Sequence, residues 1–130
     1  MMVPPTVADM VATRASLETE YAEATLAWVR EALELTDTEL GAALGVDRKT
    51  VRRWRDRRSA PSATHRRRME KLNQLRYLVE TSFRTPEAGQ RWFHAPAPGL
   101  KGRTPLAVLT DGDLDAVVQL LGTMAAGAFR

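Results

Sequence analysis

The 130-residue sequence predicts an all-α fold, a helix-turn-helix bundle followed by a small helical domain. Three observations carry this. Alanine, leucine, valine and arginine dominate, and no alternating run of β-branched residues offers a strand. Apolar residues make up 44% of the chain, enough to bury a core. Helix-capping residues recur ahead of apolar periodicity at Ser16, Thr36, Asp47, Thr85 and Thr104.

Taken in order, residues 1–5 should fray and residues 7–14 form a short helix. A longer helix then runs over residues 16–34, capped by Ser16. That helix carries two apolar stripes, one of Leu17, Tyr21, Ala24 and Trp28, the other of Leu26, Val29 and Leu33. Two stripes ask for two surfaces, either a larger intrachain core or a second copy of the chain. Thr36 and Glu39 form a capping box that opens a helix ending near Gly45. Asp47 caps the next helix, which reaches about Asp56. A turn at residues 59–62 leads to a helix over 64–83, with Met69, Leu72, Leu75, Val79 and Phe83 inward.

Composition then shifts, residues 85–112 holding four of the seven prolines and four of the eight glycines. Thr85-Pro86 and Thr104-Pro105 each place proline at the first helical position, opening short helices that end near Phe93 and Leu109. A loop over 94–103 lies between them, and a final helix covers 113–124. The expected divisions are an N-terminal segment over 1–25, a helix-turn-helix domain over 26–83 and a C-terminal domain over 84–130.

The net charge of +3 conceals an asymmetry. Residues 1–47 hold two arginines against nine carboxylates, whereas residues 48–68 hold ten Arg/Lys opposed by Asp56 alone. So concentrated a positive field points to a polyanion. The absence of cysteine removes disulfides and thiolate metal sites and fits a reducing compartment. No window approaches a membrane span, and the N-terminus lacks a signal-peptide pattern. A soluble, cytoplasmic chain is the expectation, and sixteen arginines beside three lysines suggest a GC-rich bacterial genome.

Over residues 36–54 the spacing is that of a helix-turn-helix. Leu40 and Leu44 face inward, and Gly41 sits where the two helices approach. Gly45 supplies the turn, and Val46, Val51 and Trp54 close the core. A two-helix hairpin with a glycine turn has the same outline, but the outer face favours duplex DNA as partner. Arg48, Lys49, Thr50, Arg52, Arg53 and Asp56 would face the major groove, where arginine can donate twice to guanine. Arg57 and Arg58 suit phosphate contacts. Arg66, Arg67 and Arg68 oppose the dipole of the helix they open, which suggests a phosphate use against the alternative of a solvated basic turn.

Residues 35–46 with Arg52-Arg53-Trp54 resemble the Xre-type helix-turn-helix of bacterial and phage repressors, although alanine is usual where Gly41 stands. Trp92-Phe93-His94-Ala95-Pro96, the run from Gly99 through Gly102-Arg103-Thr104-Pro105-Leu106, and Gly112 are similar to the toxin-binding domain of Xre/MbcA/ParS-type antitoxins. That resemblance covers residues 26–130. It implies an antitoxin that pairs with a RES-domain toxin, denies NAD to the toxin's active site, and represses its own promoter by binding operator DNA. A homodimer within a larger toxin–antitoxin complex is expected. Toxin contacts are expected at Trp92, Phe93, Arg103, Thr104, Pro105, Leu106, Gly127, Phe129 and Arg130.

The residues themselves leave more open. Trp92 and Phe93 are adjacent and cannot both face one core from a helix, so one is exposed or Phe93 leaves the helix. Arg103 suits either a helix C-terminus or a partner carboxylate. The tail over 125–130 either enters a cleft on the toxin or frays. No catalytic constellation is visible, no cofactor is expected, and His65 and His94 stand apart in surface or capping positions. Asp111, Asp113 and Asp115 alternate like the start of a calcium loop, but helix capping accounts for them better. A stand-alone transcriptional regulator without a toxin partner is the alternative function, and a protein-interaction module that has lost DNA is a third.

Overall fold

The computed structural model describes residues 3, 4 and 6–127, and for residues 11–19 the backbone alone. Its helices are α1 (Val7–Leu33), α2 (Asp37–Leu44), α3 (Arg48–Arg55), α4 (Ala63–Ser82), α5 (Pro86–Phe93), α6 (Pro105–Thr110) and α7 (Leu114–Gly127). A 3-10 turn at Pro98–Leu100 precedes α6, and the described residues form no strand. Of the residues 1–5 expected to fray, 1, 2 and 5 lie outside the described residues, and Val3 and Pro4 are exposed and belong to no helix.

The expected break near Ser16 does not occur. α1 is one helix of 27 residues, opened by Thr6 rather than Ser16. The Thr6 hydroxyl accepts from the Asp9 amide at 3.1 Å, and the Asp9 carboxylate accepts from the Thr6 amide at 3.0 Å. That upstream box satisfies two orphan amides, and no glycine or proline interrupts residues 7–33. The helix stops where Glu34 turns left-handed, at φ 56°.

Only one of its two stripes enters the core. Ala22, Leu26, Val29 and Leu33 are buried, whereas Tyr21 and Ala24 are exposed and Trp28 is half-buried beneath the Arg76 guanidinium, 5.9 Å from the ring centroid. The side chain of Leu17 lies outside the described residues.

A single apolar cluster runs through the molecule. It joins that stripe to Leu40, Ala43 and Leu44 of α2, Val51 and Trp54 of α3, and Met69, Leu72, Leu75 and Val79 of α4. Leu35, Phe93, Val108, Leu109, Leu114, Val117, Val118 and Leu121 complete it. Phe83, expected inside, is half-buried at the edge. α4 packs against both α7 and α1, while α2 touches both α3 and α6. The core therefore crosses the boundaries at 25/26 and 83/84, and α1 runs through the first of them.

Candidate nucleic-acid interface and toxin-binding segment

α2 and α3 form the helix-turn-helix, and their capping is as the sequence indicates. The Thr36 hydroxyl accepts from the Glu39 amide at 3.1 Å, with the Glu39 carboxylate returning to the Thr36 amide at 3.0 Å. Gly45 takes the left-handed conformation at φ 72°, which closes α2. Gly41 is buried so close to the turn that a Cβ there would lie 2.6 Å from the Val46 carbonyl oxygen. Leu40, Leu44, Val51 and Trp54 are buried and Val46 is half-buried against them.

Asp47 caps α3. Its carboxylate accepts from the Thr50 amide at 2.8 Å and the Thr50 hydroxyl at 2.7 Å. Those bonds, the hydroxyl first, hold the Asp47 carboxyl below the usual carboxylate range. Arg48, Lys49 and Arg53 project exposed from α3, and Arg58 is exposed just beyond it. Three other candidates are already engaged. Thr50 commits its hydroxyl to the cap. Arg52 lies 3.5 Å from Asp37. Arg57, left-handed at φ 58°, is paired with Glu23 of α1.

Arg55 is a residue that sequence reasoning passed over. Its Nη1 donates to Asp37 at 2.6 Å, tying the end of α3 to the first turn of α2. Burial acts to raise the Asp37 carboxyl. The Arg55 hydrogen bond and charge, the charge of Arg30 and the bond from Arg52 outweigh it, so the group sits below its ordinary value. A pairing across 18 residues leaves no local periodicity to detect. Of the arginines opening α4, Arg67 is exposed, but Arg68 donates from Nη1 to the Leu44 carbonyl at 2.7 Å. Arg68, expected to meet phosphate, is thus engaged in a bond within the fold.

In the C-terminal segment the adjacent aromatics resolve into two roles. Phe93 is buried in the core, and Trp92 is half-buried, packed between Phe93 at 5.0 Å and Phe83 at 5.9 Å. Pro105 is also buried, and Thr104 caps α6 by accepting from the Ala107 amide at 3.1 Å. Phe93 and Pro105, expected as toxin contacts, are both enclosed by the packing of α5 and α6. Arg103 is exposed and pairs with Asp111, the C-cap of α6, so its bond is to a helix end of its own chain. Leu106 is half-buried and Gly127 exposed, while Phe129 and Arg130 lie outside the described residues.

The run Gly102-Arg103-Thr104-Pro105 thus builds a loop. The Ala97 amide donates to the Arg103 carbonyl at 3.0 Å, the Gly102 amide donates to the Ala97 carbonyl at 3.0 Å, and Gly102 is left-handed at φ 80°. Asp113 caps α7 by accepting from the Ala116 amide at 3.1 Å, and Asp115 lies 3.6 Å from Lys71. Among the described residues no group of three or more His, Cys, Asp or Glu could hold a metal ion. His65 meets Ser62 at 2.9 Å and Trp54 at 5.5 Å, whereas His94 meets the Gln90 carbonyl at 2.8 Å.

A surface feature that the sequence did not reveal lies between α4 and α7. Tyr77, Leu78, Phe83, Leu121 and Met124 line a groove of about 340 Å³, with Tyr77 65% and Met124 44% exposed. Its residues come from the end of α4, its C-cap Phe83 and α7, some forty positions apart, so only the packing assembles it. No described helix is long and apolar enough to cross a membrane.

Residues 78–127 match the family described as the antitoxin Xre/MbcA/ParS C-terminal toxin-binding domain. The match begins inside α4 and runs to the end of α7. Among solved structures, the chain is similar to one chain of the M. tuberculosis MbcT–MbcA toxin–antitoxin complex. The two share 24% sequence identity over 83% of this chain and 96% of that one, with a TM-score of 0.54. At that identity the likeness is one of all-α fold. No curated protein sequence matches significantly. The resemblance to Xre/MbcA/ParS-type antitoxins therefore stands on the C-terminal segment, with the fold in agreement.

Proposed function

We propose that this chain is the antitoxin of a toxin–antitoxin pair, acting in the cytoplasm, which silences its toxin by binding and represses its own promoter. The observation that carries the proposal is the coincidence, on one core, of an antitoxin-type toxin-binding segment and an exposed cationic helix in a helix-turn-helix. The toxin is a RES-domain protein, and the region from Trp92 to Arg130 covers the cleft through which it takes up NAD. This chain performs no chemistry. Half-buried Trp92 and Leu106, exposed Arg103, Thr104 at the loop edge and Gly127 with the residues beyond it form the toxin-facing surface.

At the other end, α3 enters the major groove of operator DNA. Arg48, Lys49 and Arg53 reach bases or phosphates, and Arg58 meets the backbone. Arg52, Thr50 and Arg57 join them by giving up their present partners. A homodimer reads two half-sites about one helical turn apart. The division at 83/84 is then functional, one half for DNA and one for toxin, although the two share a core.

The test is neutralisation. A RES-domain protein encoded beside this gene is expressed alone and with the chain, and cellular NAD is followed. Collapse of NAD alone with recovery on co-expression is the expected result. NAD that is untouched, or that collapses equally in both, refutes the antitoxin reading and leaves a stand-alone regulator as the better account.

A further inference from the structure

The last carbonyls of a helix have no intrahelical donors, and a helix-turn-helix must satisfy them inside a tight turn. Here the Val46 amide donates to the Gly41 carbonyl at 2.9 Å, and the Gly45 amide reaches Ala42 at 3.4 Å. The Leu44 carbonyl takes its donor from 24 residues away, the Arg68 guanidinium on α4, at 2.7 Å and partly buried. That guanidinium occupies the space a side chain at residue 45 would need. A Cβ on Gly45 would lie 1.8 Å from Arg68 Nη1 and 3.0 Å from its Cζ. Gly45 therefore serves two purposes, its left-handed φ of 72° and the slot for Arg68. The positive charge also sits at the negative end of the α2 dipole.

We propose that Arg68 is a positioning residue of the DNA-reading unit: it clamps the α2–α3 turn to α4 and so fixes how α3 is presented to the groove. The proposal rests on the reading of α3 as the DNA-recognition helix. It reassigns a cation from the phosphate footprint to the scaffold, and it gives the two roles different signatures. A phosphate contact contributes to every duplex alike and steepens salt dependence by about 0.9 in the slope of log K against log[salt]. A clamp affects discrimination and leaves the slope alone.

The experiment uses the full chain and two duplexes, one enriched by the wild-type protein from a randomised library and one of random sequence. Affinity for each is measured across a salt series for wild type, Arg68→Met and Gly45→Ala. Arg68→Met keeps much of the packing and removes the donor. Gly45→Ala removes no charge and fills the slot. Both are expected to lose at least about tenfold of the preference for the enriched duplex, with the salt slope on random duplex unchanged. A slope flattened by about 0.9 in Arg68→Met, with both duplexes weakened equally and Gly45→Ala unaffected, overturns the proposal in favour of a phosphate contact.

Thermal melting of both single variants and the double variant supplies a readout that does not require DNA. The melting-point loss from Gly45→Ala is expected to be smaller when Arg68 is already Met, because the collision is gone. Equal losses in both backgrounds show that Arg68 does not fill the slot and also overturn the proposal. If wild type prefers no duplex, the DNA reading itself fails and the positioning role falls with it. A non-additive melting cycle then locates the failure in the DNA reading rather than in the clamp.

Discussion

Replacing Asp37 by asparagine tests whether the helix-turn-helix is held by charge. Asp37 sits in the first turn of α2, its side chain 15% exposed, and meets Arg55, itself 25% exposed, at 2.6 Å. A fully exposed pair contributes about 0.2–1 kcal/mol, and removing one partner of a fully buried pair costs about 3–5 kcal/mol. This pair lies between those limits, and asparagine keeps a neutral acceptor for Arg55. Loss of a carboxylate near the α2 N-terminus adds a further ~0.3–1 kcal/mol. The sum is about 2 kcal/mol at neutral pH, or roughly 6–10 °C of melting temperature for a chain of this size.

The pH dependence follows from the direction of the shift. The folded-state carboxyl titrates below its ordinary value of 3.8, so its contribution is fully present above that value and is lost as pH falls through the folded-state pKa. The gap between wild type and Asp37→Asn, measured by urea unfolding, should be constant from about pH 7 to pH 5 and close at more acid pH. Asp47, also held low, titrates in both proteins and cancels from the difference. A gap that persists once Asp37 is protonated, or one below about 0.5 kcal/mol at neutral pH, refutes the argument that ion pairing is the cause.

Other substitutions probe other parts of the argument. Thr25 is buried on α1 with its hydroxyl unpartnered among the described residues, so Thr25→Val should stabilise the chain by about 1 kcal/mol in urea unfolding. Gly41→Ala gains up to about 1 kcal/mol of helix propensity but meets a backbone oxygen at 2.6 Å; a net loss of roughly 1 kcal/mol is expected, and equal or greater stability would disprove the steric reading. Arg53→Ala should weaken duplex binding and lower the salt slope by about 0.9, read by titration at several salt concentrations. Truncation of residues 127–130 should weaken toxin neutralisation in the NAD assay; unchanged neutralisation removes the tail from the toxin-facing surface.

What was legible in the sequence was local. Thr36, Asp47, Thr85 and Thr104 each cap a helix because capping needs only a side chain and an amide three residues on. Gly45 was readable because a positive φ selects glycine. Ser16 misled because the same residue type sits in a helix interior without stopping it, once a box at Thr6 and Asp9 has opened the helix upstream. Tyr21, Ala24 and Trp28 show that periodicity marks a face, while the neighbouring elements decide which face is buried. Arg55, Arg68 and the α4–α7 groove depend on contacts tens of residues apart, and no window along the chain contains them.

The same distinction changes how the charge should be counted. The ten cations of residues 48–68 form a concentrated positive field that points to a polyanion. The fold divides them. Arg52 and Arg55 share Asp37, Arg57 holds Glu23 and Arg68 holds the Leu44 carbonyl. Arg48, Lys49, Arg53, Arg58 and Arg67 are exposed without an ion pair among the described residues. Counterion release is proportional to the phosphates neutralised, so a protomer relying on those five gives a salt slope no steeper than about −4.5 on duplex DNA. Each further unit of slope requires a committed arginine to exchange its internal partner for phosphate. The exposed Arg57–Glu23 pair is the cheapest to open, because surface pairs contribute little. A Glu23→Gln variant, lacking that competitor, should therefore bind duplex more tightly at low salt than wild type; equal affinity would mean that Arg57 stays on α1 when DNA is bound.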